Sequence, residues 1–157
     1  MIKSTSLKNF KCFQNETRFH FKTINLLTGV NGRGKSSFLQ SILLISQSIE
    51  DKKTFCKVVF NGQLVNLGSF RDVQNKNTAN SNPIEISHET LNGVLTVILE
   101  RDEIDDTIGL LSTDIDGDIT TEFQHVHYIA ADRVGPQEFY IKTTLPRFVS
   151  VGTRGEY

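Results

Sequence analysis

The sequence predicts an α/β fold: a buried strand runs into a glycine-rich loop and a helix, and an antiparallel β-subdomain follows. Three observations carry this expectation. Residues 23–28 form a short run, with Ile24, Leu26 and Leu27 apolar, that leads into Gly29. From Lys35 the apolar period lengthens, with Phe38, Ile42, Ile45 and Ile49 recurring at steps of four, three and four, which is helical spacing. Beyond residue 57 the pairs Asn61-Gly62, Asn92-Gly93 and Asp116-Gly117 separate short alternating runs, as in antiparallel hairpins.

Taken in order, residues 2–13 read as a strand followed by a turn. Residues 17–21, Thr-Arg-Phe-His-Phe, alternate polar and apolar as a half-buried strand does. Residues 23–28 are a second, more buried strand. The helix over 35–49 has a stripe widened by Leu39 and Leu43, and the polar run Asp51-Lys52-Lys53 follows its end. Residues 58–60 and 64–67 are expected to flank the first turn pair. Residues 84–86 and 94–99 flank the second, and 107–111 and 119–123 the third, giving a β-subdomain over 57–125. Residues 75–83 are polar and read as a mobile loop. Residues 126–131 read as a last buried strand leading to Asp132-Arg133-Val134-Gly135-Pro136.

The 157 residues suffice for one domain with a core. A net charge of −1 gives no global electrostatic case for nucleic-acid binding. Cys12 and Cys56 fit no metal or redox spacing and read as reduced thiols. The longest apolar stretch, 38–45, is interrupted by Gln40 and Ser41 and falls far short of the ~20 residues of a membrane span. The N-terminus lacks the apolar run of a signal peptide, so the expectation is a cytoplasmic protein with no membrane partner.

Chemistry concentrates at Gly29-Val30-Asn31-Gly32-Arg33-Gly34-Lys35-Ser36, which fits G-x-x-x-x-G-K-[ST] at every fixed position. Glycines let the backbone approach a phosphate closely. The amides of Gly32, Arg33, Gly34, Lys35 and Ser36 can then face inward as an anion nest, aided by the positive end of the following helix. Lys35 is placed to reach the β- and γ-phosphates, Ser36 to ligate Mg2+ and Ser37 to donate to the α-phosphate. Gly29 and Asn31 complete the nucleotide-binding set, and the implied cofactors are ATP and Mg2+.

Other constellations are weaker. His125 and His127 share a strand face, but no third ligand stands nearby, and metal sites need at least three. Asp114-Ile115-Asp116-Gly117-Asp118 hints at a calcium loop, yet Ile119 and His125 hold the places of its glycine and glutamate, so a hairpin turn is expected. The five carboxylates within residues 100–106 read as a solvated turn.

With these residues in view, the chain resembles the start of an SMC/RecF-type ATPase, which shares the ABC-type head. The likeness rests on Leu7-Lys8-Asn9-Phe10-Lys11-Cys12-Phe13, Ile24-Asn25-Leu26-Leu27-Thr28-Gly29 and the P-loop. Residues 67–73 and 128–136 look like segments of the predicted AAA-like ATPases of bacterial defence operons and of overcoming-lysogenization-defect nucleases. The resemblance implies an α/β P-loop NTPase of ABC/SMC head type with an antiparallel β-subdomain. It implies that Lys11 touches nucleotide phosphates and that Gln74 is the Q-loop residue sensing Mg2+ and the γ-phosphate, with Asp72 competing for that role. It further implies a homodimer or a partner ATPase half, with a nuclease or DNA as possible further partners and anti-phage defence as the setting. No Ser-Gly-Gly signature and no apolar run ending in Asp-Glu is found. Asp132 is the nearest Walker B candidate, and Arg133 is a candidate bridge to nucleotide or partner. The chain therefore reads as the N-terminal half of such an ATPase. The rival expectations are a non-catalytic nucleotide-binding interaction module and, less in keeping with the β-rich segment, a small P-loop kinase.

Overall fold

The computed structural model describes residues 1–49, 57–101, 110–117, 122–123 and 126–129. The chain divides into two compact units, Met1–Gln124 and His125–Tyr157. In the first unit the elements run β1 (Ile2–Lys8), β2 (Thr17–His20), α1 (Lys35–Ser48), α2 (Phe70–Val73), β3 (Ile84–Thr90), β4 (Gly93–Glu100) and β5 (Leu110–Gly117).

The five strands form one sheet in the order β2-β1-β3-β4-β5, with every neighbouring pair antiparallel. Alternation along the strands sorts the two faces. The register sets Thr5 opposite His88 and Leu7 opposite Ile86. It also sets Ile86 opposite Val97, His88 opposite Leu95, and Ile84 opposite Leu99. All of these side chains are buried and make the core face. On the other face Lys8 pairs with Glu85 at 2.8 Å and Arg18 with Glu89 at 3.1 Å, while Ser87 and Thr96 hydroxyls meet at 3.2 Å. The sheet thus recruits β1 and β2 from the N-terminus as well as the strands beyond residue 57.

Helix α1 joins this core through aromatic contacts. Phe38 lies 4.5 Å from Phe19 and 5.6 Å from Phe21, centroid to centroid, and Phe13 meets Phe19 edge-on at 5.5 Å. Near its other end, Ser46 Oγ donates to Phe123 O at 2.8 Å. Its buried residues are Phe38, Ser41, Leu43, Leu44, Ile45 and Ser48, whereas Leu39 is 41% exposed. The inward stripe is therefore rotated from the purely apolar one. Two serines enter it because Ser41 Oγ donates to Phe38 O and Ser48 Oγ to Leu44 O, so neither hydroxyl is buried without a partner.

Four local expectations are corrected. Residues 23–28 are no strand: Ile24 and Leu26 are 87% and 85% exposed. The Asn25 amide exchanges hydrogen bonds with Lys22 N and O, so a side chain takes the main-chain groups that a ladder would use. Residues 58–67 make no two-stranded hairpin. A single bridge joins Asn61 to Asn66, and Gln47 of α1 takes up Val59 O, Val65 O and Val65 N. The second hairpin exists, but its turn is Leu91-Asn92, and Gly93 opens β4. Asp116-Gly117 is not a turn: β5 continues through it, pairing Asp114 with Thr96 and Asp116 with Val94. The remaining parts of that expected hairpin, 107–109 and 118–121, lie outside the described residues.

In the second unit residues 126–129 carry no regular secondary structure, and Ile129 is 53% exposed. The buried strand expected at 126–131 is not seen over these residues. Asp132 and Arg133 lie outside the described residues, as do residues 50–56.

Candidate functional site

The loop before α1 has the conformation that its glycines permit. Gly32 and Gly34 sit at φ 81° and 96°, in the left-handed region that side chains avoid. A Cβ at Gly34 would stand 2.7 Å from both Cys12 Sγ and Phe13 Cζ, whereas at Gly32 the space is open. Gly34 is also the N-cap of α1, and no side chain caps that end. The first helical hydrogen bond is Phe38 N to Gly34 O at 2.8 Å. The amides of Lys35, Ser36 and Ser37 therefore precede the ladder and meet no capping side chain. They point where the helix carries its positive end, an arrangement that suits an anion.

Lys35 Nζ donates to Gly29 O at 2.6 Å and to Val30 O at 2.9 Å, so the ammonium folds over the loop that it follows. A cavity of about 240 Å³ opens here, lined by Asn31, Gly32, Gly34, Lys35, Ser36 and Ser37. Six of the sequence-predicted residues thus share one concave wall. Gly29 contributes its carbonyl to Lys35, and Arg33 is exposed on the loop. The residues fit a magnesium-bound polyphosphate: three uncapped amides, one ammonium and two hydroxyls line the cavity, and among the described residues no carboxylate lines the wall to oppose it.

Lys11 sits in a tight turn after β1. Asn9 and Lys11 adopt φ 55° and 48°. Phe10 N donates to Phe13 O at 3.0 Å, and Phe13 N to Phe10 O at 2.8 Å. One side of this turn, Cys12 and Phe13, packs on Gly34. The other side meets the end of α2, where Lys11 N donates to Val73 O at 2.7 Å, Asn75 Nδ2 donates to Lys11 O at 2.5 Å, and Phe10 bridges to Gln74. Burial holds the Lys11 ammonium below its usual pKa, partly offset by Asp72. A half-desolvated cation of this kind gains from an arriving anion.

Gln74 is 6% exposed. Its Nε2 donates to Asn82 O at 2.8 Å and, at longer range, to Ala79 O and Asn80 O. Its Oε1 accepts no hydrogen bond among the described residues. Gln74 lines a second cavity, of about 300 Å³, with Arg71, Asn75, Lys76, Thr78 and Asn80. Asp72, the competitor for the sensing role, is committed elsewhere: its Oδ2 accepts from Ser69 N and Ser69 Oγ, both at 2.8 Å, closing the capping box of α2. Those bonds hold its carboxyl below the usual range.

The structure thus brings the P-loop and the Lys11 turn into contact, and the Lys11 turn and Gln74 into contact, while Gln74 and the P-loop line different cavities. Sequence reasoning missed the brackets of this arrangement. Asn9 Nδ2 donates to Asn82 O and Pro83 O, and Thr78 Oγ1 donates to Asn9 Oδ1 and Asn75 O. An asparagine just after a strand is a turn signal that could have flagged Asn9. Of the other candidates, His127 is exposed and His125 lies outside the described residues. Asp114 and Asp116 are exposed strand residues, and no group of three or more metal-ligating side chains occurs among the described residues. No described helix is long and apolar enough to cross a membrane.

Two comparisons with known proteins complete the picture. No curated protein matches the chain. A sequence profile of the AAA ATPase domain matches residues 1–144, a span that takes in the β1 turn, the glycine-rich loop, α1 and the whole sheet. The chain belongs to the AAA ATPase domain family, whose members are ATP-binding P-loop proteins.

Proposed function

We propose that this chain is the ATP·Mg2+-binding part of an SMC/RecF-like ATPase head. The observation that carries the proposal is the uncapped start of α1 opening on a cavity walled by Asn31, Gly32, Gly34, Lys35, Ser36 and Ser37. When bound, Mg2+ neutralises charge on the phosphates and makes the terminal one a better electrophile. The chain's own groups bind and orient. The amides of residues 32–36 and the Gly34 turn hold the phosphate tail, Lys35 exchanges two carbonyls for phosphate oxygens, and Ser37 donates to the tail. Ser36 Oγ would hold the metal. Lys11 adds charge from the turn packed on Gly34, whereas Gln74 lines a separate cavity and has no place in the cradle as it stands.

The cradle holds its ligand from one side, with Asn31, Gly32, Arg33 and Ser36 exposed. A second ATPase half, from another copy or a partner chain, covers the other side in this proposal, and nucleotide gates that association. Coupling to a nuclease or to DNA in anti-phage defence, in the cytoplasm, rests on the family resemblance alone.

The test is titration of a fluorescent ATP analogue with and without Mg2+. Binding should saturate, depend on Mg2+ and weaken about 10- to 100-fold in Lys35→Ala, the effect of losing charge-assisted bonds worth ~1.5–3 kcal/mol. Unsaturable binding, or identical binding by the variant, would sink the proposal. One observation favours a second reading, a nucleotide-binding module without turnover: among the described residues no carboxylate lines the cradle to position an attacking water. Phosphate release by the isolated chain separates the two. A small-molecule kinase is disfavoured by the five-stranded antiparallel sheet.

A further inference from the structure

We propose that the cavity beside Gln74 is a second binding site, distinct from the P-loop, for a nucleoside monophosphate unit. The cavity is about 300 Å³ and is lined by Arg71, Gln74, Asn75, Lys76, Thr78 and Asn80. Every one of these side chains is polar, two are cationic and none is a carboxylate. The nearby acid, Asp72, lies outside this lining; its Oδ2 is engaged by Ser69, and its charge is shared between Lys11 and Lys76. Arg71 already has a partner in the fold. Lys76 is exposed and forms no ion pair among the described residues, so it is a cation open to an incoming anion.

The wall is built rather than incidental. Asn75 is 5% exposed, with Nδ2 given to Lys11 O and Oδ1 accepting from Asn77 N at 2.9 Å. Thr78 Oγ1 donates to Asn75 O at 2.7 Å. Asn9 clasps the far end of the loop at Asn82 O and Pro83 O. With the loop fixed at both ends, a ligand orders little chain on arrival, which favours binding. Gln74 is also nearly buried, and its amide nitrogen is spent on three carbonyls. Its Oε1 accepts no hydrogen bond among the described residues, and Gln74 lines this cavity.

The site therefore asks for two things at once: negative charge for Lys76 and a hydrogen-bond donor for the Gln74 oxygen. Inorganic phosphate can meet both, through its charge and its P–OH group, but it fills little of the volume. A nucleoside monophosphate meets both, with phosphate at Lys76 and a ribose hydroxyl or base amino group at Gln74. The volume sits at the small end of ligand pockets, which suits one nucleotide unit rather than an extended triphosphate. The unit could be free or part of a single strand.

The experiment uses the full chain carrying Lys35→Ala, without Mg2+, so that the P-loop does not contribute and failure here is separate from failure of the ATP reading. AMP is titrated calorimetrically, a labelled oligothymidylate by anisotropy, and inorganic phosphate serves as the control. Binding of AMP or of the oligonucleotide at least about tenfold tighter than phosphate, and weakened by a similar factor in Lys76→Glu and in Asn80→Ala, supports the site. Both substituted residues are exposed, so the variants should melt as the parent does. Preference for AMP identifies the free nucleotide as the source, and preference for the oligonucleotide identifies a strand. Binding no tighter than phosphate, or binding indifferent to both substitutions, overturns the proposal.

Discussion

At Gly34 an added methyl group would stand 2.7 Å from Cys12 Sγ and from the Phe13 ring, at φ 96°. Gly34→Ala therefore strains the backbone and pushes the Lys11 turn off the P-loop. It should destabilise the fold by about 1–3 kcal/mol and weaken nucleotide binding together, read from denaturant midpoints and ATP titration. Adding Cys12→Ala should restore only part of the loss, because Phe13 and the backbone conformation still object. A full rescue would show that the sulfur contact alone set the constraint. His88 makes a different prediction. It is wholly buried, its Nδ1 is 2.8 Å from Thr5 Oγ1, its Nε2 has no partner, and Phe123 meets its ring edge-on at 5.1 Å. Burial lowers its pKa to about 3, from 6.5 for the free side chain. Between those values the unfolded chain takes up a proton that the folded chain refuses. The contribution of neutral His88 is thus fully present above pH 6.5 and is lost as pH falls toward 3. The slope it adds should approach ~1.4 kcal/mol per pH unit in that window. Replacing both partners, in Thr5→Val with His88→Leu, should flatten this slope with little cost at neutral pH. An unchanged pH profile would remove His88 from the account of acid sensitivity.

Among the elements, α1 does two jobs at opposite ends, and Gln47 carries the second. Gln47 Nε2 donates to Val59 O at 2.5 Å and Val65 O at 3.2 Å, while its Oε1 accepts from Val65 N at 2.9 Å. Ser48 Oγ adds an acceptor for Val59 N at 2.9 Å. The helix thus supplies the hydrogen bonds that the expected hairpin over 58–67 would have made for itself. Gln47→Leu should cost about 2–3 kcal/mol, since it strands partly buried main-chain groups, with an unchanged denaturant slope if the fold is kept. This case marks where local pattern stops being informative. The existence of α1, β1, β2, β3 and β4 was legible because period and strand length are properties of the segment itself. The inward stripe of α1 was not, since a serine that bonds its own helix carbonyl is as buriable as a small apolar residue. The run at 23–28 was misread because apolar content marks a segment fit for burial but supplies no neighbour to pair with. The turn at Asp116-Gly117 was misread because that pair permits a reversal without requiring one.

For the molecule as a whole, sheet order is the feature that no window of sequence contains. β1 pairs with β3 across some eighty residues, and this long closure sets the Lys11 turn between the P-loop and the end of α2. The P-loop itself was legible because all its parts lie within eight residues. The contact of Phe10 with Gln74, and hence the common anchoring of Lys11 and Gln74, was not legible: the resemblance gave each residue a role toward the nucleotide but no contact between them. The two cavities on either side of that turn lay beyond any local reading. If the turn transmits nucleotide occupancy, stability should report it. ATP·Mg2+ at one hundred times its dissociation constant should add about 2.7 kcal/mol to folding through linkage. For a chain near 150 residues that corresponds to a rise in Tm of about 5–10 °C in a thermal scan. Lys35→Ala should abolish most of the rise at the same nucleotide concentration. If Lys11 shares in holding the phosphates, Lys11→Ala should remove a smaller part, because Lys11 belongs to the turn packed on Gly34 and does not line the cradle. A Lys11→Ala protein whose nucleotide-dependent rise equals the parent's would show that the turn is a structural wedge between two sites, with no share in holding the phosphates.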